Sequence, residues 1–459
     1  MMQISNIVVM GFGNIGQALS ALLRRRFVTQ PIHVIDERMQ APQIEIAEHY
    51  GMSWQRLRLT RENHQEVLKE HVSTGTLVLN LATSISSHDL IAWTQARDAF
   101  YLDTCIDPWE YQDGELDSAV NTNYQMREAV MALQAEQRRQ RPQAATAVVA
   151  HGANPGLVSL LVKQALLLLA QQHLAAPVAP CSGPEWALLA EQLGVRVIQI
   201  AERDSQQTRQ PREAGEFVNT WSVAGFVAEA LQPIELGWGS HEAAGPLAAE
   251  AQAHSGGCQA AVYFKRMGAQ ARVRSWTPLA GEFVGHLISH NEAISLASFL
   301  SVNDHGSLRY RPTVYYAYHP CDQAMESLGL LQDGHRDAIT AERVLKHEIE
   351  SGIDELGVLL VSDRYPSLWY GSQLSIERAR ELAPHNNATS LQVVGSIMAA
   401  VEWINAHPRA GIVESEQMDH EFLIAQARPY WEPLVHVSRD WQPDPARHSG
   451  RWTLDEFLV

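Results

Sequence analysis

The segment GFGNIG at residues 11–16 has the residue types and spacing of a phosphate-binding loop. In such a loop the first glycine permits a tight turn, the second lets the backbone approach a pyrophosphate, and the third allows a helix to pack closely on a strand. The apolar run 7–10 precedes the loop, and the segment 17–26 follows it as a helix whose N-terminus offers N–H groups to an anion. The pattern predicts a dinucleotide site; a glycine-rich turn in another α/β domain is the alternative.

Asp36 ends a second apolar run, 32–35, and lies twenty residues after Gly16. A carboxylate at this place accepts hydrogen bonds from both ribose hydroxyls and repels a 2′-phosphate. The spacing therefore favours NAD over NADP as the cofactor. Arg38 is a cation two residues further on, and it leaves NADP open.

Acidic side chains are interleaved with an indole in the segments 200–204 and 217–229, which contain Glu202, Trp221 and Glu229. A carboxylate near an ammonium contributes about 4 kcal/mol of attraction at an effective dielectric of 20, before desolvation is deducted. An indole adds about 0.5 to 2 kcal/mol by cation–π contact. The cluster predicts a site for a small diamine. The alternative is that Arg203 pairs with an acid on a sheet surface and that Trp221 lies in the core.

His286 and His290 have the spacing of two metal ligands on a helix, but the intervening sequence resembles a strand and no third ligand is near, so we predict no metal site. His290, beside Glu292, is expected to handle protons. Cys105 follows a strand without a paired histidine and is interpreted as a small buried residue. The loop 83–87 lacks a G-x-S-x-G context and is expected to start a helix.

The composition limits the class of protein. At 459 residues, with 46% hydrophobic and 19% charged residues, the chain is expected to form a soluble enzyme of two or three domains. A net charge of −17 argues against nucleic acid and anionic membranes and suits a cationic ligand, although solubility alone would also explain it. Four widely spaced cysteines and the absence of a recognisable signal peptide predict a cytoplasmic protein. The apolar segment 157–170 is shorter than the roughly 20 residues of a membrane span and is expected to be a buried helix.

Strand-like and helix-like segments alternate in the first half of the chain, which predicts an α/β fold with a Rossmann-type, doubly wound parallel sheet. The helices are expected at 43–50, 62–71, 87–97 and 118–139, and the strands at 54–59, 76–81, 100–105 and 145–150. Strand-like runs dominate from 195 to 320 and predict a second, α+β domain on a mixed sheet. A further helix is expected over 388–405.

Ligands of such folds bind at the carboxyl ends of the strands, so we expect cofactor contacts from the glycine loop, from Asp36 and from three later strand ends. These residues are Gly11, Gly13, Asn14, Ile15, Gly16, Asp36, Thr83, Thr104, Ala153 and Asn154.

The chain resembles the bacterial homospermidine synthases, which belong with the saccharopine-dehydrogenase-like enzymes. The shared motifs run in the same order from about residue 5 to 430 and include GFGNIG, GANPG (152–156), AERDSQ (201–206), FVNTWSVAGF (217–226), ISHNEAIS (288–295), YAYHPC (316–321) and GIDELGVLL (352–360). The resemblance implies an NAD-binding domain over 1–153, joined by a returning helix near 388–412. It also implies a substrate-binding and dimerisation domain over 154–387 and a homodimer. The several Trp and Pro residues of 413–459 predict a C-terminal tail that packs on the surface.

The family reaction joins two putrescines, or putrescine and spermidine, into sym-homospermidine through imines, with loss of ammonia and recycling of NAD. The resemblance implies catalytic roles for Trp221, Glu229, Asn154, His290, Glu202, Asp107 and Asp354. Trp221 would place a cationic intermediate, Glu229 would bind or deprotonate an amine, and Asn154 and His290 would orient the reacting end. Glu202 and Asp354 would guide charge at the inner site.

Two positions depart from the family pattern. Asp107 stands where the family has the glutamate of an EPW motif at the entrance, one methylene longer, and Ser84 stands at a position that is acidic in relatives. Both departures bear on distal-amine binding and on substrate range.

Two other interpretations remain open at this point. A related carboxynorspermidine or saccharopine-type reductase would use NADPH and would need an Arg or Lys clamp for a carboxylate. A catalytically idle dinucleotide sensor would keep the glycine loop but would have no need of Trp221, Glu229 and His290 together.

Overall fold

The computed structural model describes residues 3–110, 122–176, 179–331, 336–444, 446 and 449–459. Its first sheet has seven parallel strands, and strands and helices are numbered here in chain order. The strands are β1 (Asn6–Met10), β2 (Ile32–Asp36), β3 (Ser53–Arg56), β4 (Thr76–Asn80), β5 (Phe100–Asp103), β6 (Ala147–Val148) and β20 (Ile412–Val413). Their order in the sheet is β3-β2-β1-β4-β5-β6-β20, which confirms the Rossmann-type arrangement.

Helices cover both faces of this sheet, so its central strands are buried on both sides and are continuously apolar. The helices are α1 (Asn14–Arg26), α2 (Ala41–His49), α3 (His64–Leu68), α4 (Ser87–Gln95) and α5 (Asn123–Gln140). Helix α3 is shorter than expected because a turn precedes it, in which the Asn63 side chain accepts from the Thr60 amide at 2.8 Å. The expected start of α5 near Ser118 lies outside the described residues.

The second sheet is mixed, as expected, and has ten strands. They are β7 (Val195–Asp204), β9 (Pro233–Gly237), β10 (Gln252–Ala253), β11 (Ala261–Met267), β12 (Arg272–Thr277), β13 (Gly281–Ile288), β16 (Thr313–His319), β18 (Ile353–Ser362), β19 (Ser367–Ser375) and β21 (Leu434–Arg439). Strand β7 pairs in parallel with β16 and antiparallel with β18, so these three strands form the centre of the sheet. Short two-stranded sheets join β8 (Glu216–Asn219) to β17 (Ala341–Val344) and β14 (Val302–Asp304) to β15 (Ser307–Tyr310).

Nine further helices accompany this sheet in the described residues. They are α6 (Leu157–His173), α7 (Gly183–Gln192), α8 (Val223–Leu231), α9 (Asn291–Phe299), α10 (Asp322–Ser327), α11 (Ile376–Leu382), α12 (Ala388–Ala406), α13 (His420–Ala427) and α14 (Leu454–Phe457). The segment 157–170 is the buried helix that its apolar sequence predicts. In the described residues no helix is long and apolar enough to cross a membrane.

Helix α12 returns the chain to the first domain. It packs against α1, and just before it the Asn386 side-chain amide donates to the Ala18 carbonyl at 3.0 Å. After it, β20 pairs in parallel with β6. The exact domain limits stay a prediction.

The expectation that residues 413–459 form only a tail packed on the surface is wrong. Helix α13 packs on α6, and β21 pairs along β19 as an edge strand of the second sheet. Trp431 is fully buried, and its Nε1–H donates to the Gln392 carbonyl at 3.0 Å. Trp441 and Trp452 in this segment are buried as well, so its tryptophans are core residues.

Candidate active site

The glycine loop follows β1 and has the shape that a dinucleotide cradle needs. Gly11 has φ +89°, and a Cβ there would lie 2.6 Å from the Ala82 amide nitrogen. A Cβ on Gly16 would lie 2.6 Å from the Gly11 carbonyl oxygen, so the third glycine permits close contact of α1 with the loop. A Cβ on Gly13 would meet no described atom within 4 Å, which leaves the backbone open to an approaching group. All three glycines therefore fit their expected roles.

The N-terminus of α1 is free to receive an anion. Gly13 is its N-cap residue and provides no side-chain cap to the first N–H groups. The Asn14 side-chain nitrogen is buried without a hydrogen-bond partner among the described residues, and Ile15 beside it is half-buried against the core. Free backbone donors and an unused amide suit a pyrophosphate, so the residues present fit a dinucleotide.

Asp36 lies at the end of β2, beside the loop. Its carboxylate accepts from the Phe12 amide and from the Arg38 amide, each at 2.6 Å. Each oxygen retains a lone pair for a ribose hydroxyl. The Arg38 side chain is 72% exposed and lies 3.4 Å from Glu37, where its charge is partly balanced.

Three loops carry the remaining expected cofactor residues past the carboxyl ends of β4, β5 and β6. Thr83 is exposed after β4, Thr104 is half-buried after β5, and Ala153 is 2% exposed after β6. A Cβ on Gly152 would lie 3.5 Å from the Thr104 side chain, so the second and third loops are in contact. The parallel sheet thus places all three beside the glycine loop at one edge.

Asp103 anchors this edge and was not predicted from the sequence. One of its oxygens accepts from the Ala150 amide at 2.6 Å and the other from the Tyr101 hydroxyl at 2.8 Å. Burial raises the pKa of Asp103 to about 7. Its contacts fix the start of the loop that carries Ala153 and Asn154.

His290 lies between two carboxylates. Its Nε2 is 3.0 Å from Glu229 Oε2 and its Nδ1 is 3.2 Å from Glu292 Oε1. Burial alone would lower the pKa of His290, but the two carboxylates outweigh burial and raise that pKa well above its ordinary value. The two carboxylates therefore favour the protonated form of His290.

Glu202 on β7 is 2% exposed and joins three parts of the site. It accepts from the Tyr316 hydroxyl at 2.6 Å and from the Asn154 side-chain amide at 3.4 Å. The Tyr316 ring in turn lies 4.6 Å from the His290 ring. Burial, with the nearby charge of Asp204, raises the pKa of Glu202 to about 8.

Two more acids lie on the same sheet face. Asp354 on β18 pairs with Asp204 on β7, and both side chains are fully buried. Asp204 accepts from the Thr220 hydroxyl at 2.7 Å, and Asp354 accepts from the Thr389 hydroxyl at 2.5 Å. The other oxygen of Asp354 has no hydrogen-bond partner among the described residues. Burial, together with the charges of Glu202 and Asp204, raises the pKa of Asp354 well above its ordinary value.

Trp221 follows β8 and is half-buried. Its Nε1–H donates to the Tyr318 hydroxyl at 3.2 Å, and the Tyr318 ring stacks on Tyr316 at 5.1 Å. The alternative interpretation of this cluster holds in one part, because Arg203 pairs with Asp322 at 3.1 Å. Trp221, however, is connected through the tyrosines to Glu202 and is not an isolated core residue.

Asp107 lies in the loop after β5. It is 7% exposed, and its carboxylate accepts from the Ser84 amide at 3.3 Å and from the Cys105 thiol at 3.6 Å. The two positions that depart from the family pattern are thus in direct contact. Its role at an entrance stays a prediction.

His286 lies on β13, a strand as expected, and burial lowers the pKa of its imidazole to about 4. Among the described residues no group of three or more His, Cys, Asp or Glu side chains could hold a metal ion.

Sequence reasoning missed four residues that touch the predicted ones. They are Tyr316, Tyr318, Asp204 and Glu292. A signal for the first three existed, because Glu202 and Asp204, like Tyr316 and Tyr318, are two apart on a strand and so share a face. The signal for Glu292 was its place beside His290 at the start of a helix.

Two sequence profiles match the chain in succession. The saccharopine dehydrogenase NADP binding domain matches residues 7–147, and the saccharopine dehydrogenase C-terminal domain matches residues 152–437. The yeast saccharopine dehydrogenase from Saccharomyces cerevisiae shares the fold, with a TM-score of 0.50 at 9% identity over 95% of this chain and 99% of that one.

More similar relatives are homospermidine synthases. That of Blastochloris viridis is 43% identical over 95% of this chain and 92% of its own length, and that of Mesorhizobium japonicum is 39% identical over 99% and 96%. The crystal structure of the homospermidine synthase of Legionella pneumophila in complex with NAD has a TM-score of 0.91 at 39% identity and covers 100% of this chain and 99% of that one. With such identity over nearly its full length, the chain belongs to the homospermidine synthase family.

Proposed function

We propose that this enzyme joins two putrescines into sym-homospermidine at the cluster of Asn154, Glu202, Tyr316, His290 and Glu229. The observation that supports this most is that these side chains form one chain of contacts at the edge of the dinucleotide cradle. A diamine needs acids for its ammonium groups and a proton acceptor for its reacting amine, and this chain of contacts contains both.

NAD is the cofactor of this family member, and when bound it supplies the acceptor and later the donor of a hydride. The glycine loop and Asp36 would hold it. The other proposed contacts are Asn14, Ile15, Thr83, Thr104, Ala153 and Asn154. The residues of this chain then have to bind, orient and deprotonate the amine.

Glu229 and His290 are proposed to manage the proton of the reacting amine. An amine must be uncharged before it can give up hydride from its carbon, so its proton has to leave first. Glu229 is 22% exposed at its side chain, whereas His290 behind it is 5% exposed. Glu229 is therefore the member of the pair placed to meet substrate, and His290 lies behind it.

The inner carboxyls Glu202 and Asp354 are proposed to hold the distal ammonium, with Asp204 as a third acid on the same face. A buried carboxylate is costly unless it is paired, and their raised pKa values reflect that cost. An entering ammonium would provide the missing partner. The free oxygen of Asp354 gives this cation a place to bind.

Trp221 is proposed to place the cationic imine. An indole face attracts a cation by about 0.5 to 2 kcal/mol. The bond from Trp221 Nε1 to Tyr318 fixes the ring orientation against the acids. Asp107 is proposed to act at the entrance, on the distal amine of the second substrate.

Incubation of the purified protein with putrescine and substoichiometric NAD tests this function. Mass spectrometry should detect homospermidine and ammonia in amounts that exceed the NAD supplied. A Glu229→Gln variant, which keeps the size of the side chain and removes its charge, is the matched control and should make little product. If the protein forms no homospermidine but consumes NADPH in the presence of an amino-acid substrate, the reductase interpretation is supported instead.

We further propose that the enzyme is a cytoplasmic homodimer that accepts putrescine and, as a second amine, spermidine. Its four cysteines are free, which fits a reducing compartment. Light scattering after size-exclusion chromatography measures the mass in solution. A mass equal to one chain of 51.1 kDa would contradict the dimer.

A further inference from the structure

We propose that Glu292 is a positioning residue that holds the His290 ring, so that Nε2 of the ring faces Glu229 and the reacting amine. This inference rests on the proposed function for the roles of His290 and Glu229. Glu292 itself lies on the far side of the ring from Glu229, so it acts through the imidazole.

The backbone sets up this arrangement. His290 is the N-cap residue of α9, and Glu292 lies in the first turn of that helix. Glu229 comes from a different element, α8. Carboxylates from two helices flank the ring: Glu292 is within hydrogen-bond distance of Nδ1 at 3.2 Å, and Glu229 lies 3.0 Å from Nε2 in an ion-pair contact that lacks hydrogen-bond geometry. Two flanking carboxylates favour a ring that carries a proton on each nitrogen.

The charged forms of Glu292 and His290 stabilise each other, because each provides the opposite charge in a buried site. Glu292 is 1% exposed, and its second oxygen is buried without a hydrogen-bond partner among the described residues. A buried carboxylate in this state needs a cation, and the imidazolium supplies one. The other ionisable groups that face or influence His290 are Glu229 on α8, Tyr316 on β16 and Glu202 on β7. Removing Glu292 therefore removes one of the two direct carboxylate contacts.

The chemistry requires a ring fixed in this way. The reacting ammonium gives its proton to the Glu229 carboxylate, which lies beside Nε2 of the protonated ring, before its carbon loses hydride. In the exchange step the second amine adds to the iminium carbon, one proton passes from the new nitrogen to the old one, and ammonia leaves as the C=N bond re-forms. Glu229, the proposed proton acceptor, lies on the Nε2 side of the ring. A ring free to rotate would present that side only part of the time.

The test compares Glu292→Gln with Glu416→Gln. Glu416 is a matched control, because it is 3% exposed and accepts from Ser159 at 2.8 Å and from Ser295, also on α9, at 2.7 Å. Glu292→Gln should lower kcat about tenfold or more, since positioned proton transfer contributes about 10²–10⁴-fold to rate. It should also move the alkaline limb of the kcat profile to lower pH, because His290 loses one of the charges that keep it protonated. KM for putrescine and the NAD affinity should change less than about twofold.

Glu416→Gln should leave the pH limb in place. A Glu292→Gln enzyme with wild-type kcat and an unmoved limb would overturn the proposal. If that variant does not fold, ¹⁵N-histidine NMR spectra of the wild type test the proposal by showing which His290 nitrogens carry a proton. The His290 signals are assigned by their loss in the spectrum of His290→Gln. Protons on both His290 nitrogens at pH 8 support the proposal, and a single neutral tautomer contradicts it. These spectra need no turnover, so they separate this inference from failure of the proposed function.

Discussion

At Trp221 the indole has two separable roles, a hydrogen bond through Nε1 and a face for a cation. Trp221→Phe keeps an aromatic face and loses the bond to Tyr318, whereas Trp221→Ala loses both. We expect kcat/KM for putrescine to fall more in the alanine variant, by about 2- to 30-fold relative to phenylalanine, the range of a cation–π contact. Tyr318→Phe removes only the bond and serves as the control. Equal losses in the two Trp221 variants would argue against a cation on the ring.

Glu202 should make the free enzyme less stable as pH rises. Its folded-state pKa, about 8, lies above the ordinary value of 4.5, so the folded chain binds this proton more tightly than the unfolded chain does. The stabilisation is complete below about pH 4.5 and is lost as pH rises towards 8. We expect Glu202→Gln to flatten this part of a plot of Tm against pH, measured without substrate. A slope equal to that of the wild type would show that other groups set the dependence.

At the scale of elements, Gly13 and Gly16 give a matched pair of tests. Gly16→Ala places a methyl 2.6 Å from a backbone oxygen, so the loop must shift, and we expect a lower Tm without NAD. The methyl group of Gly13→Ala would meet no described atom within 4 Å, so we expect an unchanged Tm. Because this methyl would occupy the space where the pyrophosphate approaches, we expect the Kd for NAD to rise about tenfold or more. Calorimetry and NAD titration measure the two quantities. A Gly13→Ala enzyme with wild-type affinity would contradict the placement of the pyrophosphate.

The elements that the sequence predicted are those built from local patterns. The β1 to β2 unit has apolar strands, turn glycines and a terminal acid within about thirty residues, and each feature is readable without knowing the fold. The strand-like runs predicted between 195 and 320 likewise correspond to strands, among them β7, β12 and β16. Such periodicity does not show which strands become neighbours.

The features that the sequence did not predict depend on long-range pairing. Asp204 meets Asp354 because β7 and β18 are adjacent, and no local pattern reports that register. Trp431 is buried against α12, where its Nε1–H donates to the Gln392 carbonyl and to the Ser396 hydroxyl. This contact cannot be read from the local sequence around Trp431. The candidate site was therefore predictable through its motifs, while the tyrosines and third acid between those motifs required the sheet.

At the scale of the whole molecule, the chain crosses between its two sheets more than once. A buried ion pair between Arg127 on α5 and Glu414 beyond β20, with oxygen contacts at 2.6 and 2.7 Å, ties two distant segments together. At the N-terminus of helix α12, Thr389 donates to the inner acid Asp354. The helix also packs against α1. The same helix thus touches the proposed substrate site and the cofactor domain.

The late arrival of β20 also constrains how the chain folds during synthesis. Ile412 pairs with Ala147, so the edge of the first sheet is completed only after most of the polypeptide has left the ribosome. Until then β6 presents an open strand edge, a surface on which other chains can pair. We therefore expect the nascent N-terminal third to be exposed to aggregation at this edge until residues 412–413 have been synthesised and have paired with β6.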